Sequence, residues 1–216
     1  MCVRTTIEST PKSDRDYYIL ISDKKTAFAD IILDSNNDDI KYEIYDTNNF
    51  KILINLNTPN VNVNVYALYL ASNSSAKLHT IVNHNAPDCT SFVHAKGALT
   101  GSKARTSWIG DVHISPNASG TSTNEKNENL VLTPGAKAVS VPNLEILTGE
   151  ILGARHSSSI TNFDDEQLFY LTSRGISETA AKSMIVGGFF DSIISKFPAG
   201  TAIENVRKTI ENEFIK

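Results

Sequence analysis

The chain changes character near residue 160. Before that point apolar and polar residues alternate in short runs; after it, apolar residues recur every three or four positions. Short β-rich runs at residues 17–22, 27–33, 41–45, 51–55 and 61–70 are each followed by a polar corner. Further runs follow at 77–82, 91–98, 108–114, 129–132, 138–141 and 144–147. Asn60-Val61-Asn62-Val63-Asn64-Val65 alternates strictly, which puts valines on one strand face and asparagines on the other. The corners, such as Ser35-Asn36-Asn37-Asp38-Asp39, Thr58-Pro59-Asn60 and Thr133-Pro134-Gly135, hold residues that accept turn and left-handed conformations cheaply. Many short strands fit a sandwich, a barrel or a β-helix. Asn-Gly and Asp-Gly are absent, which weakens hairpin topologies. No short repeat is strict, so the pattern leaves β-helix and sandwich evenly matched.

The C-terminal part reads as three short helices. Asn162 or Asp164 caps the first, and Asp165 and Glu166 suit the positive end of its dipole. Arg174 falls in its last turn, and Gly175 supplies a left-handed stop. Ser177 caps a second helix running to Phe197 and closed by Pro198, with Ala181, Met184, Ile185, Phe189, Ile193 and Phe197 as its apolar face. Thr201-Ala202-Ile203-Glu204 is a capping box for a third helix, with the stripe Ile203, Val206, Ile210 and Phe214. Phe169, Tyr170 and Leu171 are expected in the core where the first helix meets the β-region. The division is therefore residues 1–160, mainly β, and residues 161–216, helical.

Composition narrows the classes. With 216 residues, 40% hydrophobic and 20% charged, the chain can bury a sizeable ordered core. A net charge of -4 gives no electrostatic case for nucleic acid or an anionic membrane. No apolar run approaches the ~20 residues that span a bilayer. Met1-Cys2-Val3-Arg4-Thr5 lacks the apolar core of a secretory signal, and Cys2 and Cys89 are the only cysteines. A disulfide framework is excluded, and a cytoplasmic or organelle-interior location is expected.

Candidate chemistry is sparse. Asp164, Asp165 and Glu166 are better explained by the helix dipole than by catalysis. His84 reads as a turn histidine near Pro87. His79, His94 and His113 have no ligand spacing, and Cys89 reads as a small corner residue. No glycine-rich phosphate loop followed by Lys-Ser or Lys-Thr is present, so no ATP site is expected.

Three stretches nevertheless carry a resemblance. One runs from Asn83-His84-Asn85-Ala86-Pro87-Asp88-Cys89 through Lys96-Gly97-Ala98-Leu99 to Trp108-Ile109-Gly110. Another is Thr123-Asn124-Glu125-Lys126-Asn127-Glu128-Asn129-Leu130 with Pro142-Asn143-Leu144-Glu145-Ile146. The most specific joins Arg155-His156 to Asp164-Asp165-Glu166-Gln167-Leu168-Phe169-Tyr170-Leu171 and Ser173-Arg174-Gly175-Ile176. Together they resemble the SufB/SufD family of iron–sulfur cluster assembly scaffolds, closest to its SufD branch. The resemblance implies a right-handed parallel β-helix followed by a small helical domain. It also implies pairing through the β-helix with a SufB-like subunit or a second copy. A SufC-like ABC ATPase would dock on the helical end, at Leu168, Phe169, Tyr170, Arg174 and Gly175. His156 matches a histidine that the SufD branch offers to iron or to a transient cluster, and neutral imidazole is a borderline ligand suited to iron.

The chain departs from the family pattern in places. The run Ala154-Arg155-His156-Ser157 lacks a cysteine two residues before the histidine and a glycine after it. The essential cysteine of the SufB branch aligns near Asn127, so thiolates are expected from a partner. Met1 falls inside the family's β-helix, as for a reduced member, a fragment or a diverged paralogue. The expected role is a non-catalytic scaffold subunit. Its rivals are an interaction-only subunit that has lost the ligand role and, remotely, a carbohydrate-active β-helix enzyme using Asp88, Asp111, Glu125 or Glu128.

Overall fold

A computed structural model describes residues 14–21, 28–30, 40–46 and 49–196, together with Glu204, Arg207, Lys208 and Ile210. The strands are β1 (Asp14–Ile21), β2 (Phe28–Asp30), β3 (Ile40–Asp46), β4 (Asn49–Leu56), β5 (Asn62–Ser72) and β6 (Ser75–His84). They continue as β7 (Thr90–Thr100), β8 (Arg105–Ile114), β9 (Ser122–Val131), β10 (Lys137–Ile146) and β11 (Gly153–Asn162). Helices α1 (Asp165–Ser173) and α2 (Glu178–Ile194) follow.

Successive strands from β4 onward fall in opposite sheets. One sheet has the order β11-β9-β7-β5-β1-β2 and the other β10-β8-β6-β4-β3. The pairs β1–β5, β5–β7, β7–β9 and β9–β11 are parallel, as are β4–β6, β6–β8 and β8–β10. Only β1–β2 and β3–β4 are antiparallel. Each coil thus adds one strand to each sheet, and the molecule is a β-solenoid with a helical tail. A sandwich of hairpins would pair sequence neighbours, and from β4 onward these strands do not.

Register aligns inward side chains in columns across the coils, and the columns turn from apolar to polar toward the last coil. Val65, Val93, Glu125 and His156 stack in one column, and Leu78, Trp108 and Ser140 in another. Along β6 and β8 buried and part-exposed residues alternate, as strands with one wet side require. In β5 and β7 the run is buried on both sides because α2 covers their outer face. There Val186, Phe190, Ile193 and Ile194 pack on Tyr66, Leu68, Leu70, Ala98 and Leu130, with Ile210 joining the cluster.

The corners are built alike from coil to coil. Asn60, Asp88 and Gly120 take left-handed φ of 61°, 56° and 68° at the same station of three successive coils. The amide of each donates to the coil above: Asn60 N to Pro87 O at 3.3 Å, Asp88 N to Ser119 O at 2.8 Å, and Gly120 N to Glu150 O at 2.7 Å. Asn and Asp tolerate this conformation better than other side-chain-bearing residues.

Several expectations need correction. The run 129–132 is the end of a ten-residue strand, β9, and 138–141 with 144–147 form the single strand β10. Strand β11 lies where the sequence pattern predicts no strand. The buried face of α2 is Ala181, Val186, Phe190, Ile193 and Ile194, rotated from the stripe expected, and Met184 is exposed. The helix carries apolar residues on more than one side, so the sheet it meets, rather than its own pattern, selects the face. Phe197 and most of the segment expected to form the third helix lie outside the described residues; of that segment, Glu204, Arg207, Lys208 and Ile210 are described and are helical.

Candidate functional site

The last coil has a neighbour on one side only. Strands β10 and β11 end their respective sheets, and every residue from Arg155 to Asn162 is exposed. Their outer edges therefore present backbone donors and acceptors that no described strand pairs. Around them stand exposed apolar side chains, Val139, Val141, Ile146, Leu152 and Ile160, with Leu152 80% exposed.

His156 lies on β11 in this coil. Its register partner is Glu125, and register partners share a sheet face, so His156 continues the interior column where the interior reaches solvent. The imidazole makes no hydrogen bond or ion pair with a described residue.

Directly beneath, the interior changes chemistry. Strands β5 and β7 turn Val65, Ala67, Tyr69, Val93 and Ala95 inward, whereas β9 turns in Thr123, Glu125, Asn127 and Asn129, all buried. Asn127 donates to the Tyr69 hydroxyl at 2.6 Å and to the Ala95 carbonyl at 3.2 Å. Asn129 donates to Asn127 Oδ1 at 2.7 Å and accepts from Tyr69 at 2.8 Å and Thr106 at 3.2 Å. Burial pushes the Tyr69 phenol well above its ordinary range, against the effect of the two amides. Neither oxygen of Glu125 has a partner, nor do Trp108 Nε1, Thr121 Oγ1 and Ser140 Oγ. Burial, aided by the like charge of Asp111, pushes the Glu125 carboxyl up to about 8. Leaving such a group unpaired costs about 1–3 kcal/mol.

The other histidines have local partners. His79 meets Asp111 at 2.6 Å and His113 meets Glu145 at 2.9 Å on the outer face of the second sheet. His84 is no turn residue but a fully buried one, bonded to Ser91 Oγ at 2.9 Å, and burial lowers it to about 4. Ser91 in turn reaches Thr123 Oγ1 at 2.8 Å. Cys89 is a buried corner residue whose thiol donates to the Thr58 carbonyl at 3.2 Å. Among the described residues no three His, Cys, Asp or Glu side chains converge as a metal site. Asp88 at a corner, Asp111 and Glu128 on outer faces and Glu125 inside do not oppose one another across a cleft.

The tail places the residues expected to meet a partner. Asp164 caps α1, accepting from Glu166 N at 2.9 Å and Gln167 N at 3.4 Å. The helix buries none of its residues completely: Phe169 is 74% and Tyr170 58% exposed, while Leu168 and Leu171 are half-buried. The expectation that Phe169, Tyr170 and Leu171 form core is therefore wrong; α1 packs on α2 rather than on a sheet. Arg174 stacks over the Tyr170 ring at 5.1 Å, and Gly175, at φ 85°, turns the chain into α2. Asp164, Glu166, Gln167, Tyr170, Leu171 and Ile185 line a groove between the helices.

A stacked-coil β-solenoid with an open end and a helical appendage is thus the class that fold and site define. The family described as SUF system FeS cluster assembly, SufBD core domain, matches residues 34–189, and the chain belongs to it. An iron–sulfur cluster assembly SufBD family protein of Mycobacterium bovis is 53% identical over 139 residues, 62% of this chain and 35% of that protein. A Mycobacterium leprae protein of the same description is 48% identical over 162 residues, 72% of this chain and 41% of the relative. The Bacillus subtilis iron–sulfur cluster assembly protein SufB is 32% identical over 121 residues, 56% of this chain and 26% of SufB. The chain spans no more than about two fifths of these relatives' length. No helix among the described residues is long and apolar enough to cross a membrane.

Proposed function

We propose that the chain is a non-catalytic, SufD-like scaffold subunit in ATP-dependent iron–sulfur cluster assembly, working in the cytoplasm or an organelle interior. Its open coil pairs with a SufB-like subunit or a second copy. Its helices, through Leu168, Phe169, Tyr170, Arg174 and Gly175, receive a SufC-like ABC ATPase. His156 contributes to iron or a transient cluster, whose remaining ligands come from the partner. The reading carries no role for ATP, nucleic acid or membrane at this chain. The observation that supports it best is His156 itself, an imidazole with no partner among the described residues, on an edge strand at an open end of the solenoid. The tied amides of Asn127 and Asn129, near where the SufB branch carries its cysteine, favour the SufD-like role. The exposed aromatics of α1, Phe169 and the groove-lining Tyr170, suit protein contact.

Reconstitution with a SufB-like subunit and a SufC-like ATPase tests this. The His156→Ala complex should assemble and hydrolyse ATP but lose most of its cluster absorbance. Full cluster yield from that variant removes the ligand role and leaves the interaction-only reading; failure of the unsubstituted chain to enter the complex removes the scaffold reading.

A further inference from the structure

The interior of the last covered coil holds a carboxylate that nothing among the described residues satisfies. Glu125 is fully buried, both of its oxygens lack a partner, and the charge acting on it, Asp111, has the same sign. Room has been made for it. A Cβ on Gly110 would meet the Trp108 ring and, at 2.7 Å, Glu125 Oε1, so the bare backbone there accommodates the carboxylate beside the indole. Buried carboxylates are otherwise found paired or bound to a metal. The coil that covers this one is the last. A single layer of side chains, Ala154, His156 and Ser158 on β11 with Ser140 and Pro142 on β10, separates Glu125 from the open end.

We propose that Glu125 is this chain's second metal ligand, acting with His156 on a divalent iron ion at the open end. The inference rests on the assignment of His156 as a ligand. The two residues are direct register partners on the same sheet face, one rung apart. Strands are about 4.8 Å apart, and ligand bonds to a first-row metal are about 2.0–2.2 Å, so imidazole and carboxylate can share one ion between adjacent rungs. One neutral nitrogen and one anionic oxygen form a borderline-to-hard donor pair, which suits ferrous iron before sulfur arrives. The ion in turn supplies the positive charge that Glu125 lacks among the described residues. The remaining coordination positions face the open end, toward water or a docked partner.

Cobalt(II), a spectroscopic stand-in for ferrous iron, tests this on the full chain without a partner. The unsubstituted chain should bind one equivalent and show ligand-field absorption from a mixed nitrogen and oxygen shell. Glu125→Gln should weaken binding at least about tenfold and change that spectrum, while circular dichroism stays unchanged. If Glu125→Gln does not fold, Glu125→Asp, one methylene shorter, should fold and weaken binding. His156→Ala should abolish binding. No binding by the unsubstituted chain, or wild-type affinity and spectrum in the Glu125 variants, overturns the proposal. Wild-type behaviour of the Glu125 variants together with loss in His156→Ala removes Glu125 alone. Unchanged binding in His156→Ala removes the His156 assignment itself.

Discussion

Lys96, on the outer face of β7, donates to the backbone carbonyl of Phe189 at 2.6 Å, and its ammonium lies 4.4 Å from the centroid of the Phe189 ring. A lysine 6% exposed is thus held between sheet and helix. Glu128 lies 3.4 Å away on the neighbouring strand and also meets His94 at 2.8 Å and Lys126 at 3.1 Å. Burial lowers the Lys96 ammonium against the pull of Glu128, and lowers His94 likewise. Burial alone would raise the Glu128 carboxyl, but its hydrogen bonds from His94 and Lys126, with Lys96 beside it, bring it below its usual value.

Lys96→Met should therefore loosen the tail. A charge-assisted hydrogen bond is worth about 1.5–3 kcal/mol, and the variant also leaves Glu128 with one cation fewer. Amide exchange in α2 should accelerate well before the solenoid strands lose protection. Unchanged exchange would mean that apolar packing alone holds the helix.

Replacing Phe169 and Tyr170 with glutamate should leave stability within about 0.5 kcal/mol, because both side chains are largely exposed. Capture of a SufC-like ATPase should fall at least tenfold, about 1.4 kcal/mol. Retention at full strength in a surface-binding assay would place the ATPase contact elsewhere.

His84 sets an acid limit. Its folded value, about 4, lies below the ordinary 6.5, so the unfolded chain binds the extra proton. Stability is complete above pH 6.5 and is lost as pH falls toward 4, by no more than about 3 kcal/mol. Urea titrations across this window should show a flatter slope for His84→Gln than for the unsubstituted chain, once any constant offset is removed.

Glu125 acts in the opposite sense. Its carboxyl sits at about 8 when folded against 4.5 unfolded, so the metal-free folded state holds the proton longer. Its contribution is complete below pH 4.5 and is lost as pH rises through 8. Glu125→Gln, which cannot ionise, should gain stability relative to the unsubstituted chain between pH 5 and 9. The gain is a few kcal/mol at most, at about 1.4 kcal/mol per pH unit. A constant difference across that range would mean that the carboxyl titrates normally.

Gly97→Ala should be costly for a packing reason. The added methyl would collide with the Tyr69 ring and with Asn129 Oδ1, inside the buried amide network. Overpacking of this kind costs about 1–3 kcal/mol, readable as a lower melting temperature. A neutral result would show that the network has slack.

Strands whose inner face is apolar were legible from sequence. Val61, Val63 and Val65 point inward as their alternation requires, and β6 to β8 fall close to the runs expected. The parallel stacking was not, because alternation reports which face is buried and says nothing about which strand lies alongside. Strand β9 was read only from Asn129 because Ser122-Thr123-Asn124-Glu125-Lys126-Asn127-Glu128 has the composition of a loop. Its inward residues are polar yet fully buried, and hydrophobic patterning cannot register such a strand. Strand β11 escaped for the converse reason: at an open edge nothing selects apolar residues, and only Ile160 and Thr161 hint at an extended chain. Resemblance alone singles out His156, while Glu125 stands in the sequence only as one of four carboxylates available to a carbohydrate-active enzyme, with nothing to mark it as buried. Tyr170 and Phe169 misled because aromatic residues usually signal core, whereas here they stay on the surface.

The left-handed stations at Asn60, Asp88 and Gly120 give the molecule a natural unit of length. Excising or duplicating one such segment, from one station to the next, would move everything downstream by a single step of about 4.8 Å while leaving each bend intact. A chain shortened or lengthened in this way would keep its remaining bends and its helical tail and differ only in how far that tail stands from the first coil, much as a ladder is shortened without redesigning its feet.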